Sequence, residues 1–313
     1  MCNHIGGQVG VFRLAPAYCT CHGMIPITDN KKVHSMTYQL ERFDDKTAPL
    51  SELTSFGERS IKKEEGTQIA TQLMAEVSEL QSLMIGAATH RVLLVLQGID
   101  ASGKDGVVRF VVSQGDPLNV NVHPFKMPTP AELAHDFLWR VHAAVPLRGY
   151  MGIFNRSHYE DVVAAYVRGT ITYTMRTQRF VHIRHFEDLL HDDGTIIIKC
   201  FLHIDATEQE ARLLAREQSL DTAWKLAAED WRDRTLLPQY LDAYDYAMRE
   251  TSHDHTPWYV VPANRKWYRN LVIAELIHKH MSPYRQQWSD VLQTIQRDRI
   301  ATIHRVRASI TQE

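Results

Sequence analysis

Long apolar runs are scarce in this chain. None approaches the ~18–20 residues that cross a bilayer, which excludes a helical membrane span. No positively charged segment leads into an apolar one as in a secretory signal, so a cytoplasmic protein with reduced thiols and no membrane partner is expected. Cysteine is sparse, with four in 313 residues. Cys2, Cys19 and Cys21 lie near the start and Cys200 in an apolar run, which is no disulfide framework. Cys19-Thr20-Cys21-His22 lacks the spacing of a zinc knuckle or redox pair, and no second half follows. An excess of positive charge is also missing. The net charge of −2 argues against nucleic acid as a partner, although 35 Lys and Arg could still gather locally. Repeats and low-complexity tracts are absent. So is the guanine-reading Asn-Lys-x-Asp of GTPase-like switches: the nearest string, Asn30-Lys31-Lys32-Val33, lacks the Asp.

What is present is an ordinary globular composition, 44% hydrophobic and 23% charged, so a folded chain is expected rather than a disordered one. Its length suits one large domain with appendages and a core that needs no staples. Residues 1–35 show no period and read as an N-terminal extension. From Thr67 to Ile85 a helical stripe runs through Ile69, Leu73, Val77, Leu80 and Met84. Strands are expected at 91–97, 120–125, 151–154, 196–204 and 258–261. Helices are expected over 107–112, from a Thr129 cap through Leu133 and Phe137 to Val141, and over 162–167, 177–190, 207–249 and 267–280. The alternation gives an α/β class with a mostly parallel sheet and sites at the strands' carboxyl ends.

The stretch that organises this pattern is Gln97 to Gly106, QGIDASGKDG. Gly98, Gly103 and Lys104 have the spacing of a phosphate-binding loop between a strand and a helix, where backbone N–H groups and the helix dipole face an anion. Ala101, Ser102 and Gly106 complete it. Asp105 stands where such loops carry the Ser or Thr hydroxyl that holds Mg²⁺, and Asp100 adds a second carboxylate. Acidic side chains beside phosphate imply a cation between them, hence metal-dependent phosphoryl transfer. After the third strand come Asn155, Arg156, Glu160 and Asp161. Arg156 suits an oxyanion, Asp161 a metal. Lys126 ends a strand, Lys199 interrupts a buried one, and Arg212 and Arg216 share a helix face. A lysine inside Ile196–Leu202 is costly unless it meets an anion at the strand's mouth. Lys225, Asp230 and Arg234 lie in a charged helical stretch that could form a lid. The histidines have no third partner and read as structural or exposed.

Five blocks in this order, GIDASGKDG, FKMPTPAELAHDFLWRVH, GIFNRSHYEDV, IIIKCFLHI and PWYVVPANRKWYRN, closely resemble the polyphosphate kinase 2 family over residues 36–283. The NRSHYED form looks like the family's class III. The resemblance implies a P-loop kinase-like three-layer sandwich with a helical lid at about 207–250, and a C-terminal helical tail over 284–313. It implies a cytoplasmic homo-oligomer, dimer or tetramer, that uses Mg²⁺ (with Mn²⁺ as a substitute). Inorganic polyphosphate would be the donor and AMP or ADP the acceptor, giving ADP and ATP. By position, Asp100, Lys104, Arg156 and Asp161 would be catalytic, with Asp100 and Asp161 holding the metal. Gly98, Ala101, Ser102, Gly103, Asp105, Gly106, Asn155 and Glu160 would bind nucleotide or phosphate, Glu160 in the class-specific block. Lys126, Lys199, Arg212, Lys225 and Arg234 would contact polyphosphate. Ser102 stands where the family usually has Ala, and Leu226 where an aromatic is common. An ATP-dependent P-loop nucleotide kinase is the alternative, and Asp105 argues against it.

Overall fold

A computed structural model describes residues 42–57, 60–225 and 227–310. The expected extension at 1–35 and Leu226 lie outside them. Six strands form one sheet: β1 (Arg42–Phe43), β2 (Arg91–Gln97), β3 (Val120–Pro124), β4 (Met151–Asn155), β5 (Thr195–His203) and β6 (Trp258–Pro262), in spatial order β1-β6-β5-β2-β4-β3. All pairs are parallel except β1 with β6. The β-branched run of β5 is buried at every residue, as a central strand covered on both faces requires.

Eleven α-helices are described, and several of them cover the sheet. They are α1 (Lys63–Ala87), α2 (Lys104–Gln114), α3 (Pro130–Leu133), α4 (Trp139–Ala144), α5 (Ala164–Val167), α6 (Tyr173–Asp192), α7 (Ala206–Glu217), α8 (Ala228–Thr235), α9 (Leu237–Thr251), α10 (Lys266–Met281) and α11 (Arg285–Ile310). Helices α1, α2 and α10 pack together, and α5 and α6 pack with α9. No described helix is long and apolar enough to cross a membrane.

Register places the ends of β2 and its two neighbours side by side: Leu96 pairs with Asn155 of β4 and with Cys200 of β5. The loops that leave β2, β4 and β5 therefore emerge at one edge of the sheet, the edge where such folds bind ligands.

Three expectations change. The helix from Thr129 begins on its capping box but stops at Leu133 and resumes at Trp139. The Asp136 carboxylate accepts from Leu138 N at 3.0 Å, an alternative to a helical bond that opens the chain between the two pieces. In α1 the inward positions are Ala70 and Met74, with Ile69 and Leu73 half-buried, so the stripe turns by one residue in its first half. The 207–249 stretch is three helices and a 3₁₀ segment at Leu220–Lys225. Of these α9 buries Tyr240, Tyr244 and Met248.

Candidate active site

The loop after β2 depends on backbone conformations that glycine tolerates best. Gly98 has φ +146°, and a Cβ there would lie 2.7 Å from the Leu202 carbonyl oxygen. Gly103 has φ +102°, and a Cβ would lie 2.3 Å from Arg269 Nη1. Ala101 adopts φ 64° without that freedom, which marks a constrained loop. Lys104, at the start of α2, is almost fully enclosed. Its Nζ donates to the carbonyls of Gly98 at 2.7 Å and Ile99 at 3.1 Å, and lies 3.4 Å from Ser102 Oγ. Burial, then the neighbouring Arg156, push its ammonium down to about 8, against the pull of Asp100, Glu160 and Asp105.

Opposite the loop, β4 ends at Asn155 and the chain turns through Arg156, which also has a positive φ of 64°. Arg156 Nη2 donates to Asp100 Oδ1 at 2.5 Å and Nη1 to Glu160 Oε2 at 3.1 Å. Glu160 chiefly, with Asp100, raises the guanidinium's pKa, so the arginine stays charged throughout. Burial alone would raise the Asp100 carboxyl, but Arg156 and Lys104 outweigh it and hold it below its ordinary value. Gln97 lies 3.0 Å from Glu160 Oε1 when its amide nitrogen faces that carboxylate. Asp105 takes Asn155 Nδ2 at 2.8 Å on one oxygen and the Lys225 ammonium on the other, which ties the 3₁₀ segment after α7 to the loop.

These groups line an open cleft of about 800 Å³. Asp100, Ala101, Gly103, Lys104, Asp105 and Gly106 reach it from the loop. Asn155, Arg156, Lys126, Arg212 and Lys225 reach it from neighbouring elements. Nine Lys and Arg side chains face three Asp there, a local positive excess in a chain of net charge −2. Gly98 and Glu160 line a small enclosed pocket that shares Asp100 and Arg156 with the cleft. Ser102 is buried beneath the loop.

Four expected roles meet different surroundings. Lys199 is enclosed in the core, where Glu187 Oε2 at 2.5 Å meets its charge, so the anion at the strand's mouth is an internal carboxylate and not a phosphate chain. Arg234 holds α7 through Ala206 O at 2.8 Å and Glu210 Oε2 at 2.6 Å, outside the cleft. Asp161 does not line the cleft either. Its Oδ2 accepts from Arg140 at 3.0 Å, and burial leaves its carboxyl above its ordinary value. Arg212 lines the cleft, but its five N–H groups are all engaged: with Glu208, with the carbonyls of Ala101 and Ser102, and with those of Ala263 and Asn264. It clamps the loop to the segment after β6. Sequence reasoning missed Arg109, Lys266 and Arg269. Arg269 donates to Gly103 O at 3.1 Å, and its pKa is pushed down to about 10 by burial and by Arg212. It falls inside the PWYVVPANRKWYRN block, which was the available signal.

A strand, a glycine-bearing loop and a helix that together enclose a lysine, at the switch edge of a parallel sheet, define a P-loop protein built to hold phosphate groups. The polyphosphate kinase 2 family model matches residues 60–288. An AMP/ADP-polyphosphate phosphotransferase of Meiothermus ruber is 44% identical over 218 residues, 68% of this chain and 82% of the relative. A polyphosphate:AMP phosphotransferase of Pseudomonas aeruginosa is 32% identical over 66% of this chain, which spans 42% of that longer protein. The crystal structure of polyphosphate kinase 2 from Arthrobacter aurescens superposes with a TM-score of 0.75 at 35% identity, covering 77% of this chain and 87% of that one. The chain belongs to the polyphosphate kinase 2 family.

Membership implies a divalent metal requirement in general. Among the described residues no three His, Cys, Asp or Glu side chains converge as a self-sufficient metal cage. The donor set instead fits a hard cation shared with phosphates, the mode in which Mg²⁺ takes one or two carboxylates and completes its shell from water and substrate. Asp100, ionised and open to the cleft, provides such a carboxylate. Asp161, turned to Arg140, does not.

Proposed function

We infer that this protein transfers the terminal phosphoryl group of inorganic polyphosphate to AMP and to ADP, producing ADP and ATP reversibly, with Mg²⁺ as the working cation and Mn²⁺ able to replace it. The observation that carries the reading is the cleft itself: a phosphate-binding loop facing a basic surface, with Asp105 where an ATP-using loop has a hydroxyl. The names of the relatives from Meiothermus ruber and Pseudomonas aeruginosa support the same donor and acceptors.

Phosphoryl transfer needs alignment and charge neutralisation more than covalent help. The acceptor phosphate is ionised at neutral pH, so no strong base is required. Lys104 would leave the carbonyls of Gly98 and Ile99 to meet the oxygens of the transferring group, and Arg156 would neutralise them from the opposite wall. Mg²⁺, when bound, would screen the phosphates from one another and from the carboxylates. Asp100 would hold it, while the pairing of Asp100 with Arg156 fixes the distance between the two walls. Arg212 and Arg269 keep the loop's shape by binding its carbonyls. Lys126 at the rim and Lys225 on the 3₁₀ segment would meet the rest of the polyphosphate chain.

The test is a comparison of donors. Purified protein with AMP, Mg²⁺ and polyphosphate should give ADP and then ATP, and ATP in place of polyphosphate should phosphorylate AMP far more slowly. A preference for ATP would replace this reading with that of an ordinary nucleotide kinase.

A further inference from the structure

Beneath the Arg156 turn lies a polar cluster that the cleft does not use. Lys199 Nζ, on β5, donates to Glu187 Oε2 of α6 at 2.5 Å, to Thr251 O at the end of α9 at 2.7 Å, and to the Tyr159 hydroxyl at 3.2 Å. Tyr159 in turn donates to Glu187 Oε1 at 2.9 Å, and His158 Nε2 lies 3.3 Å from the same oxygen. Lys199, Glu187, His158 and Tyr159 are all at most 1% exposed. Trp258 of β6 closes the cluster, its ring 4.8 Å from that of Tyr159 and edge-on to it. Four elements, β5, α6, α9 and β6, thus converge on two consecutive residues, His158 and Tyr159. These lie between Arg156, which meets Asp100, and Glu160, which meets Arg156.

A buried ion pair adds little stability over well-packed apolar side chains of the same volume. What it adds is direction, because each hydrogen bond holds its partner to a few tenths of an ångström. Direction is what this turn needs. Arg156 sits at φ 64°, a conformation that persists only when its surroundings over-determine it. Its own side-chain partners are Asp100 in the cleft and Glu160 in the adjoining small pocket, where bound phosphates would compete for it. Arg140 and Arg179 hold Asp161 at the far end of the 157–161 turn, and the anchoring of its first residues comes from the cluster side. Ser157 Oγ caps Tyr159 N at 3.2 Å, Arg156 N donates to Leu96 O at 3.0 Å, and the Tyr159 hydroxyl enters the cluster.

We propose that Lys199 and Glu187 are positioning residues for phosphoryl transfer: through Tyr159 and His158 they hold the turn that presents Arg156 and Glu160 to the loop. The inference rests on the proposed reaction for its kinetic part and on the turn alone for its structural part. A displacement of about 1 Å in a positioned group can cost up to about 100-fold in rate, so the cluster acts on turnover rather than on substrate binding.

The test is the double variant Lys199→Met/Glu187→Leu, which removes both charges at once and keeps an apolar filling. Folded protein should show kcat lower by about tenfold or more, with KM for polyphosphate and nucleotide within about twofold of wild type. Amide hydrogen exchange over residues 156–163 should speed up by about tenfold, while β2 stays protected. Wild-type turnover and wild-type protection in the folded variant would overturn the proposal. So would a loss confined to KM. Should the double variant not fold, Tyr159→Phe decides: it deletes the hydroxyl and keeps the ring, and unchanged kcat and exchange would be equally fatal. Were wild-type protein inactive with polyphosphate, the proposed function would fall, and the exchange measurement would still decide whether the cluster holds the turn.

Discussion

At Lys104 the burial that aims the ammonium also weakens its hold on the proton. Its pKa is about 8 in the fold against an ordinary 10.5. Between those values the unfolded chain carries more protons than the folded one, so this group's contribution to stability rises with pH there. Below about 8 the enclosed charge is a standing cost, which a bound anion relieves. Tripolyphosphate binding near pH 8.5 should therefore take up a proton at Lys104. Calorimetric titrations in two buffers of different ionisation enthalpy should reveal the uptake, and Lys104→Met should abolish it. Binding with no proton exchange in the wild type would contradict the assignment. Asp100 runs the other way. Held below its ordinary value by Arg156 and Lys104, it contributes stability at neutral pH that is lost as pH falls through its depressed folded value. The loop residues were legible because their signal is local, a glycine and lysine spacing between an apolar run and a helix. Lys199 and Arg212 were not. Their partners, Glu187 for one and the carbonyls around 101–102 and 263–264 for the other, come from remote sequence, and a basic residue near a phosphate site reads the same whether it holds a ligand or the protein.

The loop between β2 and α2 fits because β5 leaves it no spare room. Gly98→Ala would add a Cβ 2.7 Å from Leu202 O, a carbonyl fixed in the sheet, at a positive φ. The expected cost is about 1–3 kcal/mol in denaturant unfolding. Gly169→Ala is the control. It has φ +71° with nothing within 4 Å of the added atom, so it should lose no more than the left-handed penalty of about 1–2 kcal/mol. Its turn should lose that without any effect on the cleft. Equal stability of wild type and Gly98→Ala would mean that the loop does not pack on β5 as described. Strands and most helices could be read from periodicity, since each buries a face that its own residues define. The break between α3 and α4 could not. It turns on one Asp136 carboxylate winning a backbone N–H, a contest that hydrophobic patterning does not register.

On the scale of the whole molecule, the near-neutral total conceals a strong asymmetry. The cleft gathers Lys and Arg from α2, the turn after β4, α7 and α10 at one edge of the sheet, and acidic residues balance them elsewhere. Composition could therefore exclude a generally basic protein but could not reveal a polyanion site. The order of the motif blocks did so, because parallel strands bring their following loops to one edge whatever lies between them. The β5–β2–β4 register supplies this by setting Leu96 beside both Asn155 and Cys200. The account then turns on three side chains acting as one site: Lys104 and Asp100 from one loop, Arg156 from the facing turn. Steady-state turnover of Lys104→Ala and Asp100→Asn, with AMP, Mg²⁺ and polyphosphate, tests this most directly. Each folded variant should lose at least about 100-fold in kcat, the scale of removing one preorganised electrostatic group. Turnover within a few-fold of wild type in either would contradict the account.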